Sequence, residues 1–158
     1  MKTAIHDTFV IERNVRFEPG LVFAAWSSAD AKAQWFVGPT DWKPLLRELD
    51  FRVGGLERLV GQRPNGSISK FHARYHEIVA NERIVYVYDM YTGDIQTTVS
   101  LVTIEFERQG SGTRLVITEQ GVFLDGHDDP RSRAHGTGVL IDQMERSLQR
   151  PRSSRNRG

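Results

Sequence analysis

Glu119 is the side chain whose type and spacing point most directly to chemistry. In Thr113–Gln120, strand alternation puts Glu119 on one face with Leu115 and Ile117, aimed inward. A carboxyl group among aliphatic neighbours loses hydration, which raises its pKa toward the range of a general acid or base. Such a group could orient a ligand hydroxyl or serve as base in an enolisation or aldol-type cyclisation. The competing reading places it near a strand end, paired with an arginine such as Arg58.

The aromatic residues are dense around the same part of the chain. Trp35, Phe36, Tyr75, Tyr86, Tyr88 and Tyr91, with Met90, are expected near one end of the fold. Tyr86, Tyr88 and Met90 share a strand face with Ile84. If that face is concave, its phenols offer apolar bodies with polar tips to a ligand cavity. If it faces outward, it is an exposed stripe suited to another protein or a second copy of the chain.

Other constellations carry less. His72 and His76 would converge on a metal from a helix, but on a strand their Cα atoms stand ~13 Å apart, too far to share one ion. Gly126-His127-Asp128-Asp129 lacks the spacing of a calcium loop and reads better as a helix start. Gly110-Ser111-Gly112 has no strand-to-helix context for a nucleophile elbow, and no helix follows Gly54-Gly55 to cradle a phosphate. The chain has no cysteine, so disulfides, thiolate metal sites and cysteine nucleophiles are excluded. No metal or cofactor is expected, and no catalytic set is assigned.

These groups need a scaffold, and the sequence describes one. Phe9–Phe17 reads as a strand, Pro19 opens a short helix through Trp26, and Ser28 caps a second from Ala29 to Trp35. Six strand segments follow, at Leu46–Val53, Leu56–Gln62, Ser69–Val79, Ile84–Tyr91, Thr97–Arg108 and Thr113–Gln120. Their punctuation, Gly54-Gly55, Asn65-Gly66, Gly93-Asp94 and Gly121 among it, favours antiparallel hairpins. Pro130–Gln149 closes the chain as a long helix with Asp129 as N-cap. Its stripe Ala134, Gly138, Ile141, Met144 and Leu148 is set to bury one face. Gly138 costs about 1 kcal/mol relative to alanine, for which close approach to the sheet is the expected compensation.

Composition fits this plan. The 158 residues suit one domain, with 39% hydrophobic and 26% charged residues as in an ordinary soluble globule. No apolar run is long enough to span a membrane, and the N-terminus does not read as a secretory signal, so a cytoplasmic location is expected. The net charge of +1 hides an asymmetry, because Arg150, Arg152, Arg155 and Arg157 lie in an acid-free terminal segment. Residues 1–149 are expected to form the domain and 150–158 a disordered basic tail. The remaining body is slightly acidic, which argues against a nucleic-acid partner.

Several segments resemble the START-like (SRPBCC) superfamily, and within it the domain family named after the activator of Hsp90 ATPase homologues. They are Pro19-x-x-Val22-Phe23-x-x-Trp26, Trp35-Phe36-x-Gly38-Pro39, Asp50–Gly55, Tyr75–Ile78 with Glu82–Val85, Gly112-Thr113-x-Leu115, and the helix around Gly138. The resemblance implies an α+β helix-grip fold, a curved seven-stranded antiparallel sheet packed on a long C-terminal helix in the order β-αα-β6-α. It also implies a cavity between sheet and helix. The family often has tryptophan after the helix glycine, and Val139 at that place implies a pocket of different shape.

The function expected on these grounds is binding of a small hydrophobic or aromatic molecule. Its pocket would draw on Trp35, Phe36, Arg58, Tyr75, Tyr86, Tyr88, Met90, Glu119, Ile141 and Met144. The alternatives are a protein-interaction module that assists a chaperone, and a cyclase- or aromatase-like enzyme working through Glu119.

Overall fold

In the computed structural model, residues 2–150 are described. Strand β1 (Ala4–Val15) leads into helices α1 (Pro19–Ser27) and α2 (Ala29–Ala33). Strands β2 (Lys43–Leu49), β3 (Leu56–Gln62), β4 (Ile68–Val79), β5 (Arg83–Thr92), β6 (Ile95–Gln109) and β7 (Gly112–Leu124) follow, and helix α3 (Pro130–Gln149) ends the domain. The strands form one antiparallel sheet in the order β1-β7-β6-β5-β4-β3-β2. Strands β2 to β7 are therefore a meander, and β1 joins it beside the last of them. This is the expected α+β helix-grip architecture, a curved sheet with a C-terminal helix.

Register shifts at Pro44/Leu46, Tyr75/Glu77 and Met90/Tyr91 leave an extra residue in β2, β4 and β6, namely Leu45, His76 and Thr97. Bulges of this kind bend and twist a sheet, which helps to cup its inner face. Four cross-strand rows of that face define the interior. The first is Arg47, Leu59, Phe71, Met90, Thr98 and Phe123; the second runs through Glu57, Ala73, Tyr88, Ser100 and Gly121. The third is Tyr75, Tyr86, Val102, Glu119 and Phe9, and the fourth is Ile78, Ile84, Ile104, Ile117 and Ile11.

The deep core lies toward the fourth row. Phe23 and Trp26 of α1 meet Phe106 edge-on, at 5.4 and 5.5 Å between ring centroids, and Ile141, Met144 and Leu148 of α3 close over them. Helix ends follow local rules. Ser28 accepts from the Ala31 amide to start α2, and Asp129 accepts from the Ser132 amide ahead of Pro130 to start α3.

The structure corrects several boundaries. β1 begins at Ala4 instead of Phe9, because it pairs with β7 over its whole length and the partner supplies what local propensity lacks. β7 runs on to Leu124, so Gly121 is no turn. It sits in the sheet opposite Ser100, where an added Cβ would lie 3.0 Å from the Phe123 ring and 3.2 Å from Ser100 Oγ. β2 ends at Leu49, since Asp50–Gly55 forms consecutive turns with Gly54 at φ 82°. Gly138 is not a close-approach glycine. A Cβ there would meet only Arg13 Nη2 at 3.6 Å, so Ala134 and Gly138 flank the buried stripe and do not press on the sheet. Arg150, assigned above to the tail, donates to Gln34 Oε1 at 3.0 Å. The other tail arginines lie outside the described residues.

Candidate functional site

Tyr86, Tyr88, Met90 and Glu119 all stand on the concave face, beneath α3. An outward aromatic stripe is thereby ruled out for these residues. Tyr88 is 6% exposed and cannot be a surface contact whose loss leaves stability unchanged.

Glu119 is inward and 3% exposed, as alternation requires, but its partners are not Arg58. Arg58 points from the opposite face of β3 and donates to Glu48 at 3.0 Å, so it is neither a partner of Glu119 nor part of the interior. A one-residue parity difference decides this, because Glu57 is the inward residue there. Glu119 instead accepts from the Tyr88 hydroxyl at 2.6 Å, and Arg133 Nη1 lies 3.5 Å from the same oxygen.

Arg133 gathers the whole cluster. Its Nη1 donates to the Tyr88 hydroxyl at 2.7 Å, and its Nη2 donates to Thr98 Oγ1 at 2.9 Å and Asp128 Oδ2 at 2.7 Å. Its guanidinium also lies over the Tyr88 and Phe123 rings, 5.5 and 5.6 Å from their centroids. A cation in the first turn of a helix opposes the helix dipole, so Arg133 owes its place to these tertiary partners. Burial works against its charge, yet the Tyr88, Glu119 and Asp128 oxygens outweigh burial and hold its pKa above the usual value. Burial likewise raises the Glu119 pKa, although the Tyr88 hydrogen bond and the Arg133 charge act in the other direction.

This has a consequence for stability against pH. Between the ordinary carboxylate pKa and the raised folded value, native Glu119 keeps a proton that the unfolded chain has released, so stability declines as pH rises through that window. The stability advantage of wild type over Glu119→Gln is expected to shrink as pH rises above the ordinary carboxylate range of about pH 4, read from urea unfolding at a series of pH values. A pH-independent difference would deny Glu119 this role.

A second polar cluster occupies the neighbouring region. Lys32 of α2 donates to Glu57 Oε1 at 2.7 Å and contacts the Tyr75 hydroxyl at 3.2 Å, and Tyr75 donates to the same Glu57 oxygen at 2.6 Å. All three are buried, and the Lys32 ammonium sits over the Phe36 ring, 4.7 Å from its centroid. Burial lowers the Lys32 pKa against the opposing pull of Glu57. Tyr75 thus belongs to a closed triad, and burial pushes its phenol far above its usual pKa.

Tyr86 lies between the two clusters. Its ring centroid is 5.7 Å from Tyr75 and 6.1 Å from Tyr88, and its hydroxyl makes no hydrogen bond among the described residues. Burial, followed by Tyr88, Glu119 and Glu57, drives its pKa well above the ordinary phenol value, yet the side chain keeps accessible surface. Phe36, Leu59, Met90 and Leu140 are also only partly buried where they meet the core. Ser100 Oγ lies close to Tyr88 and Glu119 but completes no well-formed hydrogen bond, and Gln143 Oε1 on α3 is buried without a partner.

The remaining expected residues take other roles. Trp35 is core, its indole N–H donating to Ala25 O at 3.0 Å and its ring set against Trp26. Ile141 and Met144 are buried core side chains, 2% and 0% exposed. An open depression of about 720 Å³ lies on the outer sheet face near Val87, Val99, Leu101 and Val122. It is open to solvent and lies on the reverse side of the sheet from the polar clusters described above.

A bent antiparallel sheet that grips a C-terminal helix over an inward polar-aromatic face defines a START-like helix-grip domain. The family model described as Activator of Hsp90 ATPase homolog 1-like protein matches residues 16–149, and the chain belongs to that family. It is similar to a putative uncharacterized protein from Rhizobium leguminosarum, with 42% identity and a TM-score of 0.91 over 96% of this chain and 99% of that one. It also resembles the Mll3558 protein of Rhizobium loti, at 35% identity and a TM-score of 0.85 over 92% and 99% of the two chains. The AHSA1-like protein from Aeromonas hydrophila shares the fold, at 21% identity and a TM-score of 0.69 over 90% and 92%. No curated protein matches the sequence.

Proposed function

We propose that this domain binds a small, largely apolar or aromatic molecule between the concave sheet face and α3. The observation that carries the reading is Tyr86, half-buried on the concave face between the two polar clusters, whose hydroxyl makes no hydrogen bond among the described residues and keeps access to solvent. A ligand hydroxyl or carbonyl that reached this free phenol would add a hydrogen bond, which is worth roughly 0.5–1.5 kcal/mol. Phe36, Leu59, Phe71, Met90 and Leu140 offer the apolar surround that such a molecule needs.

The test uses 2-naphthol, a flat apolar probe with one hydroxyl. At about a hundred times its Kd, it is expected to raise the Tm by roughly 5–10 °C. Tyr86→Phe should weaken binding roughly five- to tenfold without unfolding the domain, since the hydroxyl has no protein partner to lose. No stabilisation by naphthol or by a wider lipophilic panel would sink the reading.

A cyclase-like enzyme draws support from the raised pKa of Glu119, and would require Glu119→Gln to keep affinity while losing turnover. Simple binding ranks first, because the Glu119 oxygen that faces Tyr88 and Arg133 is already occupied. A chaperone-assisting role, which the family's description suggests, would need a surface other than the Tyr86–Met90 face.

A further inference from the structure

The first cross-strand row of the concave face begins at a cation. Arg47 on β2 is followed by Leu59, Phe71 and Met90 on successive strands, an apolar row about 14 Å long in which Leu59 and Met90 keep accessible surface and Phe71 is buried. Tyr86 lies on β5 one row further along. Arg47 is held in place, since its Nη2 donates to the Phe36 carbonyl at 2.6 Å where the chain leaves α2. Its other N–H groups have no partner among the described residues.

Among the described residues no carboxylate forms an ion pair with that guanidinium. Glu57 is the carboxylate that feels Arg47, and it is already bonded to both Lys32 and Tyr75. Lys32 and Arg47 against Glu57 leave this end with one cation in excess. At the other end, Arg133 is balanced by Asp128 and Glu119. Arg47 is exposed, but where an ordinary surface arginine swings freely in water, this one is pinned by the Phe36 carbonyl and oriented beside that apolar row.

We infer that the ligand is an amphipathic carboxylate, its apolar body along Leu59, Phe71 and Met90 and its carboxylate on the free edge of the Arg47 guanidinium. A planar guanidinium edge matches a carboxylate through paired N–H···O bonds, and its prior fixation lowers the ordering cost of binding. The inference rests on the recess reading above and narrows it to organic anions.

The deciding experiment compares 6-hydroxy-2-naphthoate with its methyl ester, which keeps ring and hydroxyl but removes the charge. Calorimetric titration at neutral pH and low salt is expected to give roughly tenfold tighter binding of the acid. Arg47→Gln should abolish that preference and leave ester affinity unchanged, while Arg47→Lys should keep a part of it, since charge remains and the fork is lost. Ester binding without acid preference in wild type, or a preference that survives Arg47→Gln, overturns the inference and leaves the recess reading standing. If neither compound binds or stabilises the protein, both fall together.

Discussion

Lys32→Met is expected to cost roughly 3–5 kcal/mol, lowering the melting temperature by on the order of 10 °C. The variant leaves Glu57 buried, 4% exposed, with Tyr75 as its one remaining hydrogen-bond donor. Methionine fills the volume of the lysine stem and preserves contact with Phe36, so lost packing contributes little to that figure. The double variant Lys32→Met/Glu57→Gln separates charge from shape. Glutamine still accepts from Tyr75 but carries no charge to strand, so the double variant should recover most of the loss. Chemical denaturation of the three proteins reads the effect directly. Equal loss in single and double variants would show that Lys32 matters as a packing element and not as a counter-ion.

The second large effect is expected at Arg133. Arg133→Met removes every donor shared by Asp128, Thr98 and the Tyr88 hydroxyl, and should cost about 2–4 kcal/mol. Two signatures set this loss apart from a simple cavity. The Glu119 pKa should move further up, because the Arg133 charge is among the influences holding it down. Amide exchange should accelerate at the start of α3, since the Arg133 bonds that tie its first turn to Tyr88 and Thr98 of the sheet are gone. An unchanged Glu119 titration would show that the 3.5 Å approach carries no electrostatic weight.

Much of this molecule was legible in the chain, and the residues that were not share one property. Hairpin punctuation and alternation located the meander, the Asp129-Pro130 pair located α3, and parity put Glu119 inward. Lys32 and Arg133 were missed because their partners lie across layers, on β3 for one and on β5, β6 and β7 for the other, where no local spacing joins them. A faint signal existed for each. Arg133 is in phase with Thr137, Ile141 and Met144 on α3, and Glu57 alternates with Leu59 on β3, so both are charges at core-facing positions. Treating such a charge as half of a buried pair would have prompted a search for its mate. Arg58 is one residue out of phase with the inward Glu57, and a shift of one residue along a strand reverses its face. Gly121 misled for a related reason. Glycine marks turns, but it also marks a place in a sheet where a neighbouring ring takes the space of its side chain.

The placement of β1 beside β7 sets the order in which the domain can assemble. Strands β2 to β7 can zip hairpin by hairpin, each closing only a short loop of chain. The β1–β7 ladder instead joins segments on the order of a hundred residues apart, and such closure is entropically costly until much else is in place. β1 therefore docks late, onto a meander already formed. Glu119 waits on β7, one strand from that open edge, and its arginine arrives only when α3 folds back over the sheet. A ligand of the kind proposed, held between the sheet and α3, would therefore bind only the assembled domain and would hold together the two ends of the polypeptide.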